Sequence, residues 1–326
     1  MMKKILTMVL AVCLLASCFG VAVLAEAPKV AGMIYLEDNF MRMLAAGYKK
    51  AASEYNADYS EYNCVSDQAA EAETIQTYIT KGLDGIVIAP LNEESSIAAC
   101  KDAAAMGVKI ALCDSTLADA DFTIGGYTSD QKQLGASTGS AAVKWLEANG
   151  YSAENPCKIA VVCFDSLLPT KSGARVDGFL ETVGDMVEVV DREDAWEQDK
   201  AIETVSNILT AHPEVEMIYA ANDGGTIGAT MACENNGYQK AVFGIDASKQ
   251  MVQLLQSDKN VLQAVTGQDA YAMGYQAMTL MCKTILGEDT GIEAGTTITV
   301  DGLLLSREDV QGLEDYLTMW AEVVGD

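Results

Sequence analysis

Repeatedly in this chain a short apolar run ends directly on side chains that can hydrogen-bond. Leu36 leads into Glu37, Asp38, Asn39 and Phe40; Cys113 into Asp114; Phe164 into Asp165; Ala221 into Asn222 and Asp223; Ile245 into Asp246; and Gly267 into Gln268 and Asp269. A carboxylate accepts from one or two neighbouring hydroxyls, an amide accepts one bond and donates another, and an arginine donates to hydroxyl or ring oxygens. Gathered around one cleft, such groups suit a small ligand with several hydroxyls. Aromatic rings would supply the rest of the surface, because the C–H face of a sugar ring is apolar and lies flat on them. Phe40, directly after a strand end, and Trp196, in the polar run 191–200, are the candidates. Asp and Asn in such positions also serve as helix N-caps, the reading preferred for Asp165 and Asp223.

The elements that must position these groups alternate. Short β-rich apolar runs are each followed by an amphipathic helical run, the pattern of parallel βαβ units. One series runs from Val30 to Tyr127 and a second from Lys158 to Ile245, with a helix from Asp130 to Gly150 between them. The fold class is therefore α/β, with two similar lobes, each a parallel sheet flanked by helices. The tail offers a strand at 261–266, a helix at 271–286, one strand near 298–305 and a final helix, too few pieces for a third core. They must complete the two existing sheets, so the chain crosses between lobes three times: near 128–130, 267–269 and 299–301. That gives a three-stranded hinge, a first lobe of 28–128 plus 269–299, and a second of 130–267 plus 300–326. In open parallel sheets a ligand lies at the carboxyl ends of the strands, where the polar residues stand.

Residues 1–25 have the charge and apolar pattern of a secretory signal. Cleavage after Ala25 is the preferred reading, with lipidation at Cys18 and a retained membrane helix as alternatives. Two of the 21 basic residues, Lys3 and Lys4, would leave with it, so 19 bases would face 47 acids, a formal charge of −28. Such a surface repels phosphate backbones, and nucleic acid is not an expected partner. Cys64, Cys100, Cys113, Cys157, Cys163, Cys233 and Cys282 are odd in number, without a CxxC and mostly among Ala, Val or Leu, so they read as core residues, with room for at most a single bridge.

The run Glu37-Asp38-Asn39-Phe40-Met41 resembles the first strand–helix turn of the galactose/glucose-binding branch of the type I periplasmic sugar-binding proteins of ABC transporters. Leu209-Thr210-Ala211-His212-Pro213, Ala221-Asn222-Asp223 and Phe243-Gly244-Ile245-Asp246 are similar to the ribose-binding branch. The resemblance covers about 30–305. It implies a periplasmic protein, or one on the outer face of the cytoplasmic membrane, that closes by a hinge on a monosaccharide and hands it to a membrane permease, as a monomer without a cofactor. It also implies that Phe40 and Trp196 sandwich the sugar ring, that Asp38 contacts a hydroxyl, and that Asp114, Arg175, Asn222, Asp246 and Gln268 supply the other hydrogen bonds. Together, Asp38 and Trp196 favour a hexopyranose such as galactose or glucose; inositol, a pentose, a quorum-signal furanose or a chemoreceptor-linked sensor role are the alternatives.

The departures bear on specificity. Ser115 stands where the ribose branch has a second arginine, and Met41 where it has a second phenylalanine. Near Pro169 and Lys171 the galactose branch has a histidine and an aspartate. The branch's calcium loop is missing around 152–156, so no structural metal is expected. Among rival classes, a glycosidase could pair Asp114 with Asp246 as acid and base. The chain has only one histidine, His212, and no GxSxG, phosphate-binding loop or GxGxxG after a strand, so no enzyme is expected. A sugar-responsive repressor would carry a helix-turn-helix where this chain has its apolar leader.

Overall fold

A computed structural model describes residues 26–37, 39–116 and 120–323. The chain first lays down β1 (Lys29–Ile34), α1 (Asn39–Glu54), β2 (Asp58–Asn63), α2 (Gln68–Lys81), β3 (Gly85–Ile88), α3 (Glu93–Ala105), β4 (Lys109–Cys113) and β5 (Gly125–Ser129). It then forms α4 (Gln131–Ala148), β6 (Cys157–Cys163), α5 (Pro169–Val183), β7 (Val187–Asp194), α6 (Gln198–Ala211), β8 (Met217–Ala220), α7 (Asp223–Asn236), β9 (Ala241–Ile245), α8 (Lys249–Leu255) and β10 (Leu262–Gly267). The tail contributes α9 (Ala270–Leu286), β11 (Thr297–Val300), β12 (Leu303–Ser306) and α10 (Val310–Val323).

These strands make two sheets of six, ordered β11-β5-β4-β3-β1-β2 and β12-β10-β9-β8-β6-β7. The two orders are the same when β6 is matched to β1, β9 to β4 and β10 to β5, so the lobes are structural repeats. Central strands are covered by helices on both faces and read as unbroken apolar runs: GIVI in β3 and AVFGI in β9 are buried at every position. The edge strand β2, DYSEYN, is half-buried to exposed throughout. The seven cysteines among the described residues are all buried and free. Burial raises their thiols, Cys100 to about 12, and they pack as small apolar residues.

The chain passes between sheets after β5, after β10 and after β11. Each of the first two passages ends in an aspartate that caps the helix beyond it. Asp130 Oδ1 accepts from the amides of Lys132 and Gln133, and Asp269 Oδ1 from that of Ala272. The caps satisfy amides that open each helix and fix where it starts.

The sequence suggests a single strand near 298–305; the structure divides it at Asp301-Gly302 into β11 and β12, one per sheet. β11 runs parallel to β5, whereas β12 runs antiparallel to β10. The reason is directional. The chain leaves the first sheet at its carboxyl edge, crosses, and enters the second sheet from its own carboxyl edge, so it must run backwards along it. The second sheet therefore carries one antiparallel edge strand on an otherwise parallel set.

Each helix that follows a passage packs on the first helix of the lobe it enters. α9 lies on α1 and α4 lies on α5, in both cases through glycines. A Cβ at Gly274 would come within 2.1 Å of the Leu44 carbonyl oxygen, and one at Gly135 within 1.9 Å of the Arg175 carbonyl oxygen. Only hydrogen at these positions lets the backbones approach so closely. Among the described residues, no helix is long and apolar enough to cross a membrane; residues 1–25, with the expected leader, lie outside them.

Candidate functional site

β4 and β9 hold the same place in the two sheets, and each ends on an aspartate in left-handed backbone: Asp114 at φ 55° and Asp246 at φ 76°. Each aspartate's amide donates to the next strand of its sheet, Asp114 to the Tyr127 carbonyl at 2.8 Å and Asp246 to that of Thr266 at 2.9 Å. A non-glycine residue in this region costs of order 1 kcal/mol or more and is held there by its surroundings. The twist turns both carboxylates off the line of their strands at the edges where the chain crosses.

Around Asp246 the second lobe builds a network. Its Oδ2 accepts from the Asp223 amide at 3.0 Å and lies 3.4 Å from an Arg175 terminal nitrogen; its Oδ1 accepts from Gln268 Nε2 at 2.9 Å. Arg175 is buried on α5. It donates Nε–H to Gln131 Oε1 at 2.8 Å and NH1 to the Ala221 carbonyl at 2.9 Å, and its guanidinium lies over the Phe164 ring. α5 is fixed from below as well: Phe179 stacks on Tyr219, whose hydroxyl donates to the Arg175 carbonyl. Next to this group, Asn222 caps α7 through its Oδ1 and donates Nδ2 to the Trp196 carbonyl at 2.9 Å.

The lobes enclose a cavity of about 510 Å³. From the first lobe it is lined by Tyr35, Pro90, Glu93, Asp114 and Ser115 among others; from the second by Gln131, Thr170, Lys171 and Ala174. Ser115 Oγ donates to Glu93 Oε1 at 2.6 Å. The buried Glu71 holds this rim in place, since its Oε2 accepts from the Leu91 amide and its Oε1 from Ser96 Oγ. Lys171 reaches across the gap: its Nζ stands 3.4 Å from the Asp114 carbonyl oxygen and 3.9 Å from Asp114 Oδ2. Such a surface offers donors and acceptors from two bodies to one guest, the arrangement that suits a polyol held by hydrogen bonds.

Of the residues singled out in the sequence, Arg175, Asp246 and Gln268 share one network, Asn222 adjoins it, and Asp114 lines the cavity. Phe40 and Trp196 are partly buried, Phe40 against the core that holds α1 and Trp196 against the core of the second lobe. Asp38 lies outside the described residues. Two capping expectations are corrected. Asn222, not Asp223, caps α7, and Asp223 is the first helical residue. Asp165 caps no helix: α5 begins after Leu168 without a side-chain cap, and Asp165 instead accepts from Ser172 Oγ and Arg192. A turn in which the Leu167 and Leu168 amides donate to the Phe164 carbonyl sets Asp165 three residues before the cap position, where it makes these bonds instead. Sequence reasoning missed Gln131, Glu93 and the part played by Lys171; only the charge of Lys171 at a position of departure from the galactose branch pointed to it.

Residues 32–289 match the family model described as a periplasmic binding protein domain. The chain is similar to the ABC transporter periplasmic-binding protein YphF of Escherichia coli (strain K12), 25% identical over 287 residues, covering 83% of this chain and 86% of that protein. It is also similar to the ribose import binding protein RbsB of Bacillus subtilis (strain 168), 24% identical over 243 residues, covering 73% and 75%. Among solved structures, that of a periplasmic ribose ABC transporter protein from Conexibacter woesei DSM 14684 shares the fold at a TM-score of 0.77 and 18% identity, covering 92% of this chain and 98% of that one. An ABC transporter solute binding protein from Bacillus halodurans C-125 with bound myo-inositol does so at 0.74 and 21% identity, covering 90% and 98%.

Proposed function

Because the chain belongs to the periplasmic binding protein family, whose members bind and do not catalyse, we propose that it is the exported binding protein of a sugar ABC transporter and captures a monosaccharide between its lobes, a hexopyranose first among candidates. The observation that supports this is the convergence of hydrogen-bonding groups from both lobes on one cavity, Asp114 and Glu93 from one side and Gln131, Thr170 and Lys171 from the other, next to the Arg175–Asp246–Gln268 network. In this reading Asp38 and Asp114 take hydroxyls from the first lobe, and Arg175, Asn222, Asp246 and Gln268 take them from the second. Phe40 and Trp196 close on the two faces of the ring.

The lobes, 28–128 plus 269–299 and 130–267 plus 300–326, move about the three passages, and a ligand that touches both shifts the balance towards closure. The closed monomer then docks on the membrane permease. A pentose or inositol is the second reading, supported by the ribose named for the Bacillus subtilis relative and the myo-inositol bound in the Bacillus halodurans structure.

A panel of hexoses, pentoses and inositols, read by thermal shift and then by tryptophan fluorescence, tests the proposal. At a hundredfold excess over Kd a true ligand stabilises the folded protein by about 2.7 kcal/mol. Binding at micromolar Kd or tighter, about −8 kcal/mol, is expected for one member. If none binds below millimolar, the sugar reading fails. If Trp196→Ala leaves the affinity unchanged, the ring sandwich fails.

A further inference from the structure

The two strand-end aspartates are equivalent by the repeat, and each faces a cation from the same helix. On α5, Lys171 and Arg175 are four residues apart and so share one face. Arg175 stands 3.4 Å from Asp246 within its own lobe, with side-chain exposures of 6% and 21%. Lys171 stands 3.9 Å from Asp114 of the other lobe, with exposures of 28% and 9%. One pair thus belongs to the inside of a lobe, while the other exists only when the lobes are near each other.

We infer that Lys171 is a cross-cleft residue that draws the lobes together through Asp114 before any ligand is bound, and so sets the affinity of the cleft. The inference rests on the reading that the lobes move. The geometry supplies the reasons. Asp114 is nearly buried and its backbone is fixed to β5, so it offers a stationary anion. Lys171 sits in the first turn of a helix that is pinned by the Phe179–Tyr219 stack and by the Arg175 bonds, so its stem starts from a stationary base. The ammonium stands within reach of both the carbonyl and the carboxylate of Asp114, two acceptors that belong to the other lobe. A partly buried pair is worth more than a fully exposed one, yet it remains open enough to salt for its strength to be tuned. The apparent affinity of a ligand scales with the fraction of protein already in the competent state. A residue that raises that fraction tightens binding of every ligand the closed cleft accepts, over and above any bond it makes to that ligand itself.

The test needs no sugar. Cysteines placed at the exposed positions Met106 and Val310, one per lobe, carry spin labels, and the buried native thiols stay unlabelled. Pulsed dipolar distances are then measured in the otherwise unaltered protein, in Lys171→Met and in Lys171→Arg. A short-distance population is expected in the parent, reduced about threefold to tenfold in Lys171→Met and kept in Lys171→Arg. In 1 M salt, where screening acts within about 3 Å, the parent should shift towards the long distance and Lys171→Met should not. An unchanged distribution in Lys171→Met overturns the inference. So does a parent with no short-distance population, a Lys171→Arg distribution as open as that of Lys171→Met, or an equal salt shift in parent and variant. If the sugar panel fails while the distances respond as stated, the cross-cleft pair stands and only the choice of ligand falls.

Discussion

Replacing Arg175 by methionine removes the group on which the second lobe's strand-end network turns. Three acceptors lose a donor: Gln131 Oε1, the Ala221 carbonyl and Asp246 Oδ2. An orphaned buried acceptor costs about 1–3 kcal/mol, and breaking one side of a buried ion pair about 3–5 kcal/mol. These costs overlap. Asp246 keeps its bonds from the Asp223 amide and Gln268 and is partly hydrated, and the methionine chain refills some of the space over Phe164. A loss of about 3 kcal/mol is therefore expected, which for a lobe of this size lowers the melting temperature by roughly 6–12 °C. Arg175→Lys should lose about half as much, because an ammonium cannot present the Nε and NH1 donors in fixed directions. Urea unfolding monitored by circular dichroism measures the effect. In the pair Arg175→Met with Asp246→Asn, the double variant should be more stable than the sum of the singles, since no charge is stranded. A single Arg175→Met within 1 kcal/mol of the parent would refute the reasoning.

Gly135→Ala forces a methyl group onto the Arg175 carbonyl, so α4 and α5 must separate; a loss of about 1–3 kcal/mol in urea unfolding is expected, whereas Gly173→Ala, in open space inside α5, should gain up to about 1 kcal/mol. Burial holds Cys157 and Cys233 at about 12 and Cys282 at about 11, against a usual 9.0. The folded chain keeps these protons where the unfolded chain releases them. The thiol contribution to stability should accordingly be level below about pH 9 and fall as pH rises from there through 11 to 12, and a thiol reagent at pH 8 should label none of the seven buried cysteines until denaturant is added.

The alternation of apolar strands with amphipathic helices was legible because each element carries its own period, and strand ends such as Asp114 and Asp246 follow directly from where an apolar run stops. What was not legible depends on partners far along the chain. Nothing local to 298–305 says that β11 and β12 enter different sheets; Asp301-Gly302 marks a break, but the direction of β12 is set by the crossing. Gln131 looks like any polar residue at a helix start until α5 places Arg175 beside it. Lys171 looks like a solvated helix charge until the other lobe brings up Asp114. The capping of α7 went to Asn222 and not to its neighbour because the helix begins at Asp223 itself, one residue earlier than a cap at Asp223 would place it.

The reciprocal docking of α9 on α1 and α4 on α5 has a consequence for how the chain is made. The first sheet needs β11 at its edge, and α1 needs α9 against its glycine face, so the lobe that leaves the ribosome first is finished last, after Val300 has emerged. A fragment ending at Ser129 lacks both pieces and would leave an apolar helix face and a bare strand edge open to solvent. Contacts that span more than two hundred residues close slowly, and a chain built this way stays incompletely folded until its synthesis is nearly over.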